Sequence, residues 1–135
     1  MARCVRARPI CRGVVEAPCL ITKQPISLLG DISPETGVIT NENHELFGKA
    51  VRGQILVFPY GVGSTVGSYT LYRLKKRGNA PAGIVNDKAE PVVATGAILS
   101  SIPMVDKPEQ GLYTLIKTGQ RLRLDASHGA IWLDG

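Results

Sequence analysis

One segment predicts most of the organisation of this chain: Val51-Arg52-Gly53-Gln54-Ile55-Leu56-Val57-Phe58-Pro59-Tyr60-Gly61-Val62-Gly63-Ser64-Thr65-Val66-Gly67-Ser68. Its apolar run Ile55-Leu56-Val57-Phe58 is rich in β-branched and aromatic residues, which favours a buried strand. Pro59 ends that strand, and Gly61 and Gly63 then allow the backbone to turn tightly.

A helix is predicted to follow the glycines, from about Thr65 to Arg77. Ser64 stands where an N-cap would lie, and its hydroxyl can accept from an amide two or three residues later. The remaining signals agree with a helix, because Gly67, Leu71 and Leu74 form one apolar stripe, Lys75, Lys76 and Arg77 load the last turn with positive charge, and Gly78 supplies the C-cap.

Strand, glycine loop and helix together make a possible anion site. The free N–H groups and the positive dipole at a helix N-terminus attract anions, so Ser64 can serve as ligand, cap or base. The loop is neither a Walker A motif nor a dinucleotide fingerprint, because no Lys-Ser/Thr pair follows and the glycine spacing differs. Spacing alone leaves a purely structural role for Ser64 open.

Three motifs in a fixed order resemble the aconitase X swivel domain family. They are Pro59-Tyr60-Gly61-Val62-Gly63-Ser64-Thr65-Val66-Gly67-Ser68, the upstream Gly30-Asp31-Ile32-Ser33-Pro34-Glu35-Thr36-Gly37 and the downstream Ile102-Pro103-Met104-Val105-Asp106. The resemblance extends from about Gly13 to about Trp132. Among archaeal members, it is to the small subunits of phosphomevalonate dehydratases.

The resemblance implies a fold and a reaction. The fold would be a single mixed α/β domain over residues 1–135, a β-rich swivelling β/β/α domain with about two helices packed on the sheets. The chain would be one subunit of a hydro-lyase that is active only with a large subunit, and that large subunit would hold a 4Fe–4S cluster. The reaction would convert 5-phosphomevalonate to trans-anhydromevalonate 5-phosphate.

The resemblance also assigns roles in the glycine loop. Ser64 would be the proton acceptor, with Gly63 and Thr65 as substrate-binding neighbours. Aconitases proper carry an arginine where Val66 stands here, so their carboxylate-binding arginine has no counterpart. Three alternatives stay open: another hydroxy acid such as a hydroxyproline as substrate, a non-catalytic interaction subunit, and an anion-binding module.

Composition and charge narrow the class of protein. The chain has 135 residues, 44% of them hydrophobic, and a formal net charge of +5. The N-terminal segment contains four arginines: Arg3, Arg6, Arg8 and Arg12. They are typical of a solvated strand, or of a surface that binds an acidic partner or a phosphorylated substrate. Because no aromatic residues are interleaved with them, they do not favour binding of nucleic acid. No apolar run approaches a membrane span or a signal peptide, so we expect a cytoplasmic protein.

The spacing of the cysteines and histidines does not predict a metal site. Three thiolates are what a cluster with one open iron needs, but the spacing of Cys4, Cys11 and Cys19 matches no common cluster motif. We therefore expect these cysteines to be small apolar residues in strands. His44 lacks a second ligand at metal spacing and is predicted to be a surface or turn residue. His128 resembles a phosphohistidine site, but too few residues follow it for the required helix, so a turn is expected.

The rest of the chain is predicted to be mostly strand. We expect a loop over 31–37, near the mouth of the active site by the family resemblance, and a second helix that starts at Pro91 and ends near Ser101. The predicted strands cover 14–21, as one bent strand or two short ones divided at Pro18, and 26–30, 38–40, 83–86, 103–106, 112–116, 121–125 and 130–133.

Overall fold

The structure is a computed structural model that describes residues 3–109 and 111–133. Within those residues the strands are β1 (Cys4–Arg6), β2 (Arg8–Cys11), β3 (Val14–Ile21), β4 (Ile26–Ser27), β5 (Ile55–Phe58), β6 (Gly61–Val62), β7 (Gly83–Asn86), β8 (Met104–Asp106), β9 (Arg121–Asp125) and β10 (Ala130–Trp132). The helices are α1 (Leu28–Asp31), α2 (Gly67–Lys76), α3 (Pro91–Ser100) and α4 (Leu112–Leu115).

Eight strands form one mixed sheet in the order β1-β10-β9-β3-β5-β7-β8-β2. Strands β3, β5, β7 and β8 are parallel, whereas β1, β10, β9 and β3 pair antiparallel. Only Ala7 separates β1 from β2, although these two strands are the first and the last in the order of the sheet. The two sides must therefore meet, and the sheet folds over into two facing halves that share β3.

Two apolar cores separate the three layers of the protein, which are the two halves of the sheet and the helices. One core lies between the two halves of the sheet and includes Val57, Val85, Val105 and Leu124. The other lies between the parallel half and the helices, and it includes Phe58 and Leu71. Successive residues of β5 enter opposite cores, as the pleat of a strand requires. The predicted β/β/α arrangement is thus confirmed.

The central strands and α2 agree with their sequence signals. All four residues of β5 and all four of β7 are buried, as expected of parallel strands covered on both faces. Helix α2 buries the predicted stripe and ends in a Schellman motif, in which Gly78, at φ +74°, donates to the Lys75 carbonyl and Asn79 donates to that of Leu74.

Two predicted strands are short helices instead. The segment 26–30 pairs only through β4 and then turns into α1, because the Ser27 hydroxyl accepts from the Gly30 N–H at 3.1 Å. The segment 112–116 contains α4, which follows Gly111 at φ +91° and brings Leu112 and Ile116 into the core between the sheet halves. The brief strand at 38–40 is reduced to isolated bridges at Val38 and Ile39.

Other predictions have mixed outcomes. Cys4, Cys11 and Cys19 lie in strands, as expected. His128 lies in a turn, but His44 is only 4% exposed, and its ring nitrogens contact the Pro25 carbonyl and the Leu46 N–H, each at 3.0 Å. His44, predicted to be a surface or turn residue, therefore lies in a turn, as its N–H donates to the Asn41 carbonyl at 3.0 Å, but it is not at the surface. None of the helices in residues 3–109 and 111–133 is long and apolar enough to cross a membrane.

Candidate functional site

Ser64 is exposed at the tip of the loop between β6 and α2. The helix begins at Gly67 rather than Thr65, and its N-cap is Val66, whose side chain makes no capping hydrogen bond. The prediction that Ser64 is the N-cap is therefore wrong by two residues. Its hydroxyl instead accepts a long hydrogen bond from the Val66 N–H at 3.3 Å. Ser64 contributes little to holding the helix, and its hydroxyl faces solvent.

A tight turn leads from Ser64 into the helix. The Gly67 N–H donates to the Ser64 carbonyl at 3.0 Å, and the Ser68 N–H donates to the Thr65 carbonyl at 3.4 Å. In the described part of the chain, the N–H groups of Ser64 and Thr65 donate no hydrogen bond to the protein. Two free amides and the positive end of α2 therefore surround the exposed hydroxyl, and such a group can bind an anion.

Two glycines allow this loop to lie against its neighbours. Gly63 adopts φ +105°, and a Cβ there would lie 2.8 Å from the Ser27 hydroxyl oxygen. A Cβ on Gly61 would overlap Val93 and lie 2.7 Å from Oε1 of Glu90. Larger residues would displace the loop, so both glycines are needed for close packing, and Gly63 is also needed for the turn because of its positive φ.

A buried carboxylate orders one side of the loop. Asp31 is 7% exposed, and it accepts from the Ser27 N–H and from the Asn41 side-chain amide, each at 2.7 Å. Ser27 also pairs with Val62 in the two-stranded sheet of β4 and β6. Asp31 therefore supports the backbone of Ser27, which lies against the loop over residues 63–66, here called the candidate loop. Its carboxylate stabilises the fold and is largely shielded from solvent.

The N-terminus of α3 orders the other side of the loop. Glu90 is its N-cap, and its carboxylate accepts from the Val93 N–H at 2.7 Å and the Val92 N–H at 3.0 Å. Pro91 occupies the first turn, as the sequence predicts. Glu90 was not among the predicted site residues, although a carboxylate immediately before a proline-initiated helix is a capping signal.

An open groove of about 380 Å³ runs beside the loop, between α2 and α3. Its lining is mainly apolar and combines the start of α2 with the outer side of α3: Thr65, Val66, Ser68, Tyr69, Pro91, Val92, Thr95 and Leu99. The buried Ser68 hydroxyl donates to the Val92 carbonyl at 2.9 Å and joins the two helices at the base of the groove. The groove reaches Thr65, the residue after Ser64.

The loop over 31–37 divides between two places. Its first residue, Asp31, supports the candidate loop through Ser27. Glu35 instead pairs with Arg73 at 3.0 Å, and its carbonyl accepts from the Asn79 side chain, so it lies at the C-terminal half of α2. The structure therefore does not bring both carboxylates of this motif to Ser64.

The carboxyl ends of β7 and β8 carry further ionisable groups. Burial raises the pKa of Asp87, and a 3.5 Å hydrogen bond from the Tyr113 hydroxyl partly offsets it. Burial alone would raise the pKa of Asp106, but hydrogen bonds from Arg8 and the Ala89 N–H outweigh it and hold that pKa below its ordinary value. The pairs of Tyr113 with Asp87 and of Arg8 with Asp106 are visible only in the tertiary structure, because the partners of each pair are far apart in sequence.

The thiols do not converge on a cluster site. Cys19 lies in the core between the sheet halves, whereas Cys11 packs on the helix side of the sheet. Burial raises the pKa of both thiols, which disfavours the thiolate that a metal needs. In the described residues, no group of three or more Cys, His, Asp or Glu side chains could hold a metal ion. These residues do not fit an iron–sulfur cluster.

Comparisons with known proteins agree on one family. The aconitase X swivel domain matches residues 4–133. The phosphomevalonate dehydratase small subunit of Methanosarcina acetivorans is 48% identical over 129 residues, which are 96% of this chain and 90% of that protein. The Thermococcus gammatolerans protein of the same name is 46% identical over 133 residues, covering 97% of this chain and 98% of that one.

A solved structure has the same fold. A chain in the crystal structure of Thermococcus kodakaraensis aconitase X, in its holo form, superposes with a TM-score of 0.90 at 43% identity. The superposition covers 96% of this chain and 96% of that chain.

Proposed function

Because the chain belongs to the aconitase X swivel domain family, we propose that it is the small subunit of a two-subunit phosphomevalonate dehydratase. The observation that carries this proposal is the match, along nearly the whole length of both chains, to archaeal proteins of that name. The enzyme is a hydro-lyase that would remove water from 5-phosphomevalonate to give trans-anhydromevalonate 5-phosphate.

The reaction requires a base that removes a proton from the carbon beside the departing hydroxyl. We assign this role to Ser64, whose hydroxyl is exposed beside free amides. A serine hydroxyl is a weak base in water, so the alkoxide must be stabilised to act. The Val66 N–H points at the oxygen from 3.3 Å, and the positive end of α2 favours negative charge there.

Gly63 and Thr65 are assigned to substrate binding. Gly63 allows close approach of the backbone because it has no side chain, and Thr65 offers a free N–H and a hydroxyl at the edge of the groove. Val66 brings no charge to this place. We expect the groups that neutralise the phosphate and carboxylate of the substrate to come largely from the partner subunit.

The cofactor is assigned to the large subunit. The cysteines of this chain do not converge, so a 4Fe–4S cluster would have to be held by the partner. Such a cluster supplies a Lewis acid for the departing hydroxyl. This chain then contributes the base and the amides around it, and neither subunit alone has a complete site.

Replacing Ser64 with alanine in the complex tests the proposal. Turnover should fall by at least about a hundredfold, because a positioned proton acceptor is lost. Ser127 is a matched control, since it is also an exposed turn serine, and its hydroxyl accepts one backbone N–H, from Gly13 at 3.0 Å. Ser127→Ala should keep turnover unchanged, with both variants assembled and cluster-loaded.

Two results would separate the parts of this proposal. Wild-type turnover in a folded Ser64→Ala complex would show that Ser64 is not the base. Absence of dehydration of 5-phosphomevalonate by the assembled wild-type complex would instead reject the substrate, and the same assay with hydroxyproline would then test the alternative hydroxy acid.

A further inference from the structure

Helix α3 is apolar on its outer side as well as on its inner side. Its ten residues include no charged side chain. Val93 and Ala97 are fully buried against the core, yet Ile98 is 57% exposed and Leu99 is 53% exposed on the outside. A helix that is hydrophobic all round is normally buried on every side, so this outer face lacks the cover that its composition calls for.

The apolar surface continues from α3 onto α2 and α1. Gly67 lies between Val92 of α3 and Leu28 of α1, because a Cβ on Gly67 would lie 3.2 Å from the first side chain and 3.4 Å from the second. We define the helical patch as six apolar residues on the outside of these three helices and along the groove between α2 and α3: Leu29, Val66, Tyr69, Val92, Ile98 and Leu99.

Exposed apolar side chains are concentrated in this region. Of the ten large hydrophobic residues that are exposed in the described chain, six belong to α1, the loop before α2, α2 itself or α3, and two more, Tyr60 and Val62, lie just before β6 and at its end. Only Val14 and Phe47 lie elsewhere. A concentration of exposed apolar side chains in one region marks a protein interface more often than free solvent-facing surface.

The residues of the helical patch carry no charge, and positive charge lies beside the patch. Arg12 lines a second groove together with Ile98, and outside the patch, at the end of α2, the Lys76 ammonium group lies 5.6 Å from the centroid of the Tyr72 ring. The chain as a whole carries a net charge of +5. The complementary surface therefore has an apolar centre and an acidic rim, which is also the usual anatomy of a protein interface.

We propose that the helical patch is the docking surface for the large subunit, through an apolar face with an acidic rim. This inference rests on the proposed function. Val66 belongs to the patch and lies two residues after Ser64, so a partner seated there reaches the mouth of the candidate loop. Docking at this place also covers the groove between α2 and α3, which limits water access beside Ser64.

Charge introduced into the centre of the patch tests the inference. Ile98→Glu and Leu99→Glu should each raise the Kd for the purified large subunit by at least about thirtyfold, as hot-spot residues do. The matched controls are Val14→Glu and Phe47→Glu, whose wild-type side chains are exposed to nearly the same extent, at 56% and 52%. Calorimetric titration should give wild-type affinity for both controls, and circular dichroism should show all four variants folded.

The outcomes distinguish this inference from the proposed function. Wild-type affinity of folded Ile98→Glu and Leu99→Glu would overturn the docking surface, while turnover of the wild-type complex would still support the enzyme. A wild-type chain that is a dimer by light scattering, and that becomes monomeric in these variants, would assign the patch to a second copy and also overturn the inference. At saturating large subunit, the variants should regain turnover, because Ser64 is intact.

Discussion

Replacing Glu90 with alanine should destabilise the protein by about 2 kcal/mol. The change removes the N-cap of α3 and two hydrogen bonds, at 2.7 Å from Val93 and 3.0 Å from Val92. Loss of an N-cap costs about 0.5–2 kcal/mol. The upper end applies here because Val93 is fully buried, so its N–H would not be readily rehydrated.

Urea unfolding followed by circular dichroism measures this effect. A loss of about 2 kcal/mol is a large part of the roughly 5–15 kcal/mol by which proteins of this kind are stable. Glu90→Gln keeps one acceptor oxygen and should lose about half as much. Glu35→Ala is the control, because it removes a surface ion pair with Arg73, whose partners are 54% and 51% exposed, and a long hydrogen bond from the Ser33 hydroxyl at 3.4 Å. It should cost less than about 1 kcal/mol.

The reasoning would be refuted if Glu90→Ala unfolded within about 0.5 kcal/mol of the wild type. It would also be refuted if Glu90→Gln were as unstable as Glu90→Ala, since one retained acceptor would then contribute nothing. If α3 carries the docking surface as proposed, destabilisation should be accompanied by weaker binding of the large subunit, because Glu90 orders the start of that helix.

Two further predictions concern ionisable groups. The pKa of Asp106 is lowered in the folded state, so its stabilising effect is complete above about pH 4 and is lost as the pH falls further. Urea unfolding between pH 5 and pH 2 should therefore show a smaller loss of stability for Asp106→Asn than for the wild type, and equal slopes would contradict this. Cys19 is fully buried with a raised pKa, so a thiol reagent should modify it only after unfolding, whereas Cys4 and Cys11 react earlier. Simultaneous reaction of all three thiols in the native protein would contradict that order.

The strand, glycine loop and helix at the centre of the chain were predictable from sequence because their signals are local. The run Ile55–Phe58 is apolar over its whole length, and α2 shows both an apolar stripe and a glycine after its last turn. The helix that starts at Pro91 was predictable for the same reason. In each case, propensity, periodicity and end signals favour the same structure.

The short elements were not predictable, because their own residues do not determine them. The segment 112–116 is rich in residues that favour strands, yet it forms one helical turn, which places Leu112 and Ile116 in the core between the sheet halves. Ser64 was misplaced as an N-cap because a turn, in which the Gly67 N–H donates to the Ser64 carbonyl, stands between Ser64 and the helix.

The sequence by itself determined the family, the central elements and Ser64 as the residue of interest. Only the tertiary structure placed Glu90 and Asp31 on the two sides of the loop and left the outer face of α3 uncovered. The physical reason is the distance along the chain over which each kind of interaction acts. Periodicity and capping act within a few residues of the chain, whereas the support of the loop and the exposure of the helical patch depend on contacts between segments far apart in sequence.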